Sequence, residues 1–128
     1  MLEDLSIFRM AGALAAHAET RQNTIAQNIA NSDTPGYRAR DVDSFAETYR
    51  VDDNGLPLRT SRSFHLSTSN DRLRITERVD ESLSPAPNGN SVSIEKEMVK
   101  GAETRHQHDL ALTIYRSALG IMRSSLGR

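Results

Sequence analysis

The sequence predicts a mainly α-helical protein. Long N- and C-terminal helices are expected to form a coiled-coil-like hairpin, with a small irregular, β-containing insert between them. Three observations predict this fold: apolar and small residues recur at helical spacing at both ends of the chain, proline and glycine interrupt the first pattern, and turn-forming residues fill the middle. A chain of 128 residues suits one structural unit. We divide it into residues 1–37, 38–90 (the insert) and 91–128.

The first helix is predicted from about Asp4 to Asn31. Side chains three and four residues apart form a heptad seam, which consists of Phe8, Ala11, Ala15, Ala18, Gln22, Ile25 and Ile29. Leu5, Leu14 and Ala26 widen this stripe. Alanine, the strongest helix former, dominates the middle of the segment and is small enough for close packing.

The second helix is predicted from about Ile94 to Leu126. Ser93 is a candidate N-cap, and carboxylates in the first turn favour the helix dipole. The predicted seam consists of Ile94, Met98, Gly101, Arg105, His108, Leu112, Tyr115, Leu119, Met122 and Leu126. Each helix would be roughly 40–50 Å long at about 1.5 Å per residue. This length favours a rod-like hairpin whose exposed stripe needs neighbours.

The insert has a different character from the two ends. Asp52-Asp53-Asn54-Gly55 predicts a turn. Short extended segments are predicted at 56–58, 64–66 and 73–76, and a loop is predicted at 84–90. Because few large apolar residues serve this stretch, we expect a small, loosely packed unit.

Composition excludes several classes of function. Sixteen basic and seventeen acidic residues give a formal charge of −1, so the chain has no general attraction for nucleic acid or an anionic membrane. Without cysteine it has no disulfide, thiolate nucleophile or zinc–thiolate site. Residues 1–4 are acidic and charges soon interrupt the apolar residues, so neither a signal-peptide core nor a membrane span is expected. Taken alone, these features indicate a cytoplasmic protein.

The histidines do not predict catalysis or metal binding. His106 and His108 are two apart and point about 200° from each other on a helix, so they cannot chelate one metal from a single face. His65 lies near Ser61 and Ser63 in the sequence, but no nucleophile elbow accompanies them. We therefore expect no catalytic residue, no metal and no cofactor.

Residues 28–37 predict a rigid end to the first helix. Pro35 disfavours helical geometry at Thr34, and Asn31 suits a left-handed C-cap. Pro35 and Gly36 suit the central positions of a type II turn, after which Tyr37 can fold back over the helix end. We call residues 31–37 the elbow. On local geometry alone, an ordinary helix stop explains it.

The same segment carries a resemblance to a known family. Asn28, Ala30, Asn31, Thr34, Pro35, Gly36 and Tyr37 form the pattern Asn-x-Ala-Asn-x-x-Thr-Pro-Gly-Tyr. It resembles the signature of the bacterial flagellar axial proteins, which form the rod, hook and hook-associated parts of the flagellum. The continuation Tyr37-Arg38-Ala39-Arg40-Asp41-Val42-Asp43 and residues 89–98 resemble the proximal rod proteins of the FlgB type. One departure is Ser44 before Phe45, where that type more often places the aromatic residue directly after the acidic one.

The resemblance implies a structural subunit of the flagellar proximal rod and not an enzyme. Such a subunit assembles helically through its terminal helices and transmits torque. The partners implied are other copies of the chain, other flagellar rod proteins, and components of the inner-membrane ring and export gate. The location implied is the periplasmic rod of the basal body, reached by type III export without a cleaved signal peptide, which replaces the cytoplasmic interpretation.

The terminal stripes are expected to pack between subunits. The interface residues predicted are Phe8, Leu14, Ile25, Ile29, Leu112, Tyr115, Leu119 and Met122. An intramolecular hairpin core is the alternative interpretation of these stripes, and both can hold in an assembled protein. The alternative function is that of a soluble coiled-coil adaptor or secretion chaperone that does not polymerise.

Overall fold

A computed structural model of the chain describes residues 2–53 and 75–127. Its elements are α1 (Leu2–Ala30), β1 (Arg40–Val42), α2 (Phe45–Asp53), β2 (Glu77–Val79) and α3 (Ile94–Ser125). The predicted fold class is confirmed, because two long terminal helices enclose a small insert that contains strands. The extended segments predicted at 56–58 and 64–66 lie outside the described residues.

Helices α1 and α3 form an antiparallel hairpin. Asn28, near the end of α1, bonds to Glu97 in the first turns of α3. At the opposite end, the rings of Phe8 and Tyr115 meet edge to face with centroids 5.1 Å apart. With 29 and 32 residues, the two helices are about 44 and 48 Å long.

The seam between the two helices consists of small and polar side chains. On α1 the buried residues are Ala11, His17, Ala18, Thr24, Ile25 and Asn28. On α3 they are Glu97, Thr104 and Ala111. One of the two heptad positions predicted for α3 is therefore wrong by one residue, since Met98, Arg105 and Leu112 are exposed and their N-terminal neighbours are buried. At the other predicted position, Gly101 and Tyr115 do face α1. Large apolar residues remain on the outside because the polar groups of the seam have partners inside.

The insert contributes a two-stranded antiparallel sheet and a short helix. Arg40, Asp41 and Val42 of β1 pair with Val79, Arg78 and Glu77 of β2. The predicted strand at 73–76 is not formed at Ile75 and Thr76, and β2 begins one residue later. Asp52 and Asp53 belong to α2, so the turn predicted to begin there is wrong for these two residues.

Helix α2 begins at a local signal that the prediction overlooked. The carbonyl of Ser44 accepts the backbone N–H groups of Glu47 and Thr48 at 3.1 and 3.0 Å. The Ser44 hydroxyl donates to the Glu47 carboxylate at 3.0 Å. Ser-x-x-Glu is the pattern that starts many helices. The aromatic ring of Phe45 then anchors α2 to α1.

Candidate functional site

The elbow forms the turn that proline and glycine predict. Gly36 has a φ of 75°, which lies in the region that favours glycine. The N–H of Tyr37 donates to the carbonyl of Thr34 at 3.3 Å and closes the turn. Pro35, between them, is exposed. The chain therefore turns sharply between Thr34 and Tyr37, four to seven residues after the end of α1.

Asn31 does not cap α1 in a left-handed conformation, as the sequence predicted. Among the described residues, only glycines have a positive φ. The N–H of Asn31 still donates to the carbonyl of Gln27 at 3.1 Å, so the helical pattern continues through it. Its side-chain Nδ2 donates to the same carbonyl at 2.8 Å, and its Oδ1 accepts from the Thr34 hydroxyl at 3.2 Å.

The carbonyls at the end of α1 are capped instead by a residue from the other end of the insert. Asn90 Nδ2 donates to the carbonyl of Asn31 at 2.9 Å and to those of Ser32 and Thr34 at 2.8 Å. The Oδ1 atom of Asn90 accepts from the N–H of Val92 at 2.7 Å. These carbonyls belong to elbow residues that follow Ala30, so this buried amide fixes the path of the chain as it leaves α1.

Asn28 is the centre of another set of contacts, separate from those of Asn90. Its Nδ2 donates to the carbonyl of Arg40 at 2.7 Å and to Glu97 Oε2 at 2.9 Å. Its Oδ1 accepts from the N–H of Arg40 at 3.0 Å and from the hydroxyl of Tyr37 at 3.3 Å. These contacts fill both donors and both lone pairs of the amide. Asn28 is 0% exposed, so its hydrogen bonds hold α1, β1 and α3 together and are not offered to a partner.

A charged cluster surrounds Lys100 beside Asn28. The Lys100 ammonium lies 2.9 Å from Asp41 Oδ2, 3.1 Å from Asp80 Oδ2 and 3.4 Å from Glu97 Oε1. Arg21 of α1 adds a second cation, with Nε 3.1 Å from Asp41 Oδ1. Glu97 is fully buried and needs such a partner, since an uncompensated buried charge is strongly destabilising.

The cluster shifts the pKa values of Asp41, Asp80 and Lys100 towards their charged forms. Burial alone raises the pKa of Asp41, but hydrogen bonds from Arg21 and Lys100 outweigh it and the net pKa is lowered. The pKa of Asp80 is lowered chiefly by its hydrogen bond from Ser82, with Lys100 contributing against the effect of burial. Burial lowers the pKa of Lys100, but hydrogen bonds to Asp41 and Asp80 raise it by more than burial lowers it. The pKa of Lys100 therefore lies above the usual value.

The loop before α3 packs directly on the elbow. The N–H of Gly36 donates to the carbonyl of Asn88 at 3.0 Å, and the N–H of Ser91 donates to the carbonyl of Tyr37 at 3.0 Å. A Cβ atom on Gly89 would lie 3.2 Å from the Cα of Gly36. Gly89 also has a φ of 82°, so two requirements for glycine coincide where the two loops touch.

Helix α1 also holds the insert along its length. His17 Nε2 lies 2.7 Å from the carbonyl oxygen of Asp43, and its ring meets Phe45 edge to face at 5.7 Å. Further along, the hydroxyl of Thr24 donates to Glu77 Oε1 at 3.0 Å. These contacts place α2 and β2 against successive turns of the same helix. The buried polar residues His17 and Thr24 of α1 therefore bind the insert.

The eight predicted interface residues lie in different places. Ile25 is only 2% exposed and lies against Gly101 in the hairpin core. Ile29 is partly exposed near the elbow. The remaining six are Phe8, Leu14, Leu112, Tyr115, Leu119 and Met122, and they belong to the half of the hairpin that lies away from the elbow. We call that half, α1 up to residue 14 and α3 from residue 110, the open end.

Sequence reasoning missed three residues that build this site. Asn90 was assigned to a loop, Glu97 to a helix dipole, and Lys100 to no role. Spacing did not single out Glu97, because Glu97, Thr104 and Ala111 repeat every seven residues but so do Met98, Arg105 and Leu112, and Lys100 belongs to neither repeat. The signal for Asn90 was weaker, because nothing in a Gly-Asn-Ser sequence shows that its amide turns towards residues 56 to 59 positions earlier.

Two searches of the described residues bear on other kinds of site. In residues 2–53 and 75–127, no group of three or more histidine, aspartate or glutamate side chains is arranged to hold a metal ion. Within the same residues, no helix combines the length and the apolar character needed to cross a membrane.

Comparisons with known proteins identify the family. A family model described as flagella basal body rod protein matches residues 11–38, which contain the end of α1 and the elbow. The flagellar basal body rod protein FlgB of Cereibacter sphaeroides is 38% identical over 111 residues, 85% of each chain. The FlgB proteins of Agrobacterium fabrum and Salmonella typhimurium are 28% and 32% identical, over 91% and 77% of this chain and 89% and 77% of their own lengths. The chain therefore belongs to the FlgB family of flagellar basal body rod proteins.

Proposed function

We propose that this chain is a subunit of the flagellar proximal rod that assembles helically through α1 and α3 and transmits torque. The observation that carries the proposal is the contrast between the site at the elbow and the open end. Buried polar groups near the elbow are satisfied within the chain, whereas eight large apolar side chains at the open end are more than a third exposed, as are Ile94, Met98 and Val99 in the first turns of α3. Family membership supports a structural role over a catalytic one.

The exposed apolar residues of the open end are suited to helix packing between subunits. Large side chains that are more than a third exposed there include Ile7, Met10, Leu110, Leu112, Tyr115, Ile121, Met122 and Leu126. Exposed apolar patches of this kind mark interaction sites in soluble proteins. Burying them contributes roughly 25 cal/mol per Å², and this gain repeats at every subunit of an assembly. A contact that does not close on itself produces a helical filament.

The elbow contributes stiffness to the same assembly. From inside, Asn90 holds its carbonyls and Asn28 holds the hydroxyl of Tyr37, while Asp33, Thr34 and Pro35 are exposed. We propose that this rigid turn fixes the direction of the chain that follows α1 and contacts a neighbouring subunit. A shaft that transmits torque needs such fixed angles.

The proposed partners are other copies of the chain, other flagellar rod proteins, and components of the inner-membrane ring and export gate. The proposed location is the periplasmic part of the basal body. As the family resemblance implies, we propose that the chain reaches it through the flagellar type III export gate without cleavage. Mass spectrometry of the chain in purified basal bodies tests this route, since cleavage would remove N-terminal residues.

Charged substitutions at the open end test the proposed assembly. We expect Leu112→Asp combined with Met122→Asp to abolish swimming and incorporation into basal bodies, because a carboxylate cannot be buried there without a partner. Thr113→Asp is the matched control, since it places the same charge at an adjacent exposed polar position. Swimming in soft agar, immunoblots of purified basal bodies, and circular dichroism of the isolated variants provide the readouts. Normal swimming of the double variant would refute the proposed interface, and a wild-type chain found only outside basal bodies would favour an adaptor or chaperone.

A further inference from the structure

The amide of Asn90 is placed to define the shape of the elbow. Its Nδ2 atom approaches the carbonyl oxygens of Asn31, Ser32 and Thr34 at 2.8–2.9 Å. An amide nitrogen carries two hydrogens, so the three carbonyls share them and must converge on one point. This convergence fixes the peptide planes across most of the elbow.

Asn90 is itself held in one orientation. Its backbone N–H donates to Asn88 Oδ1 at 3.1 Å, and its own Oδ1 accepts from the N–H of Val92 at 2.7 Å. The carbonyl of Asn90 accepts from the N–H of Ala86 at 2.8 Å. Turning the amide over would place an oxygen against three carbonyl oxygens, so only one assignment of nitrogen and oxygen fits. The residue is 4% exposed, and water does not compete for these bonds.

The elbow has few bonds of its own. Within residues 31–37, the N–H of Thr34 bonds to the carbonyl of Asn31 and the N–H of Tyr37 bonds to that of Thr34. The Thr34 hydroxyl also donates to Asn31 Oδ1. The other contacts of the elbow come from Gln27, Asn28 and Ile29 at the end of α1 and from Asn88, Asn90 and Ser91 before α3. Asn88, Asn90 and Ser91 lie more than fifty residues along the chain, and a contact across so long a loop forms only when the hairpin closes.

We propose that Asn90 is a positioning residue that makes the elbow conditional on closure of the α1–α3 hairpin. A chain whose C-terminal helix is undocked then does not present the elbow to neighbouring subunits, and only closed subunits are competent to assemble. This inference rests on the proposed function in the rod, because it concerns how the same subunit becomes ready for assembly. The claim that the shape of the elbow depends on Asn90 in the folded chain rests on the contacts alone and not on the proposed function.

Hydrogen exchange in the full-length chain tests the effect of Asn90 on the elbow. Asn90→Asp keeps the shape of the side chain but replaces the donor by a carboxylate that repels the three carbonyls. We expect the amides of Thr34, Gly36 and Tyr37 to exchange at least about tenfold faster, since about 1.4 kcal/mol corresponds to a factor of ten and each lost hydrogen bond contributes about 1 kcal/mol. Amides in the middle of α1 and α3 should keep their rates. Unchanged elbow rates, or a uniform increase along both helices, would overturn the proposal.

A matched control and a second measurement keep the test decisive. Ser93→Ala, three residues later, removes only a side-chain bond to Glu95 and should leave the elbow unchanged. If Asn90→Asp does not fold, native-state exchange of the wild-type chain in low denaturant replaces it. The elbow amides should then open with the same denaturant dependence as the amides of α1 near Asn28. If the elbow amides stay protected from exchange when α3 has separated from α1, the proposal that the elbow depends on hairpin closure is wrong.

A motility measurement separates this inference from the proposed function. In a strain that lacks its own FlgB, the wild-type chain should restore swimming and Asn90→Asp should not, at equal protein levels. If the wild-type chain fails in a complemented strain whose other rod proteins are intact, the proposed function is wrong, whatever the exchange data show. If Asn90→Asp swims normally although its elbow exchanges fast, the role of the elbow in assembly is wrong and the rod function stands.

Discussion

The two ends of the α1–α3 hairpin are stabilised by different kinds of contact. At the elbow, hydrogen bonds and ion pairs link buried polar residues, with Asn28 and Glu97 both 0% exposed. At the open end the helices meet through Ala11, Ala111 and the ring contact of Phe8 with Tyr115. The first end depends on directional bonds within one chain. The second leaves large apolar side chains such as Leu110, Ile121 and Leu126 exposed.

This difference shows how one hairpin serves both folding and assembly. Buried hydrogen bonds are specific, because an unpaired donor or acceptor costs about 1–3 kcal/mol. Apolar contacts are less selective and strengthen with the area they bury. A subunit that folds through polar contacts can keep its apolar residues exposed without rearranging when it assembles. Substitutions at the two ends should therefore have opposite consequences for stability and for assembly.

Removing the Asn28 amide should give the largest loss of stability. We expect Asn28→Ala to lower the free energy of unfolding by roughly 3 kcal/mol, because Glu97 and the backbone of Arg40 lose buried partners together. Urea unfolding followed by circular dichroism measures this change. Asn23→Ala, at an exposed position of the same helix, is the control and should change stability by less than about 0.5 kcal/mol. Equal effects of the two substitutions would show that the polar end is not what stabilises the hairpin.

Removing the cation of the charged cluster should have the next largest effect. We expect Lys100→Met to cost about 2–3 kcal/mol, less than for a fully buried ion pair because the lysine side chain is 18% exposed. The loss arises because Glu97 remains buried without a cation. Lys96→Met, one turn earlier and exposed, provides the comparison and should be nearly neutral. A variant lacking both Lys100 and the Glu97 carboxylate (Glu97→Gln) should lose less than the sum of the single changes.

Alanine at two glycines should change stability in opposite directions. Gly89→Ala should cost about 1–2 kcal/mol, since its φ is positive and the new Cβ would meet the backbone of Gly36. Gly120→Ala at the open end should add about 0.5–1 kcal/mol, because its Cβ meets nothing within 4 Å and alanine is the better helix former. Thermal unfolding of both variants measures the signs. If both substitutions lowered the stability, or both raised it, the two ends of the hairpin would not differ in this respect.

The pH dependence of stability should show the smallest change. The pKa values of Asp41 and Asp80 are lowered from 3.8, so their contribution is present above pH 3.8 and is lost as the pH falls through the lowered values. The pKa of Lys100 is raised from 10.5, so its contribution is present below pH 10.5 and is lost as the pH rises through the raised value. Denaturant unfolding across this range should show a plateau with two falling edges. In Lys100→Met the alkaline edge attributable to this lysine should disappear, and its persistence would assign that edge to other groups.

The long helices and the elbow turn were readable from the sequence because their causes are local. Helical spacing, alanine content and the Pro35-Gly36 pair act within a few residues of where they occur, and α1, α3 and the turn at Gly36 agree with them. The signal that starts α2 is also local and lies in Ser44 and Glu47. The helix was missed because its apolar pattern is short.

The register of α3 and the cap of α1 could not be read in the same way. Heptad reasoning places the large apolar residues inside, whereas here Asn28 takes a partner at Glu97 and this pair sets the register one residue earlier. The cap at Asn90 depends on a contact across more than fifty residues. Both outcomes follow from long-range polar pairing, which leaves no period in the sequence.

The two hydrogen bonds between the Asn28 side chain and the backbone of Arg40 also affect solubility. Within residues 2–53 and 75–127, strand β1 pairs with β2 on one side only, and a free strand edge invites pairing with strands of other molecules. Asn28 occupies both the N–H and the carbonyl of Arg40, in the way a neighbouring strand would. The edge of β1 is thereby closed at this position to strands of other molecules.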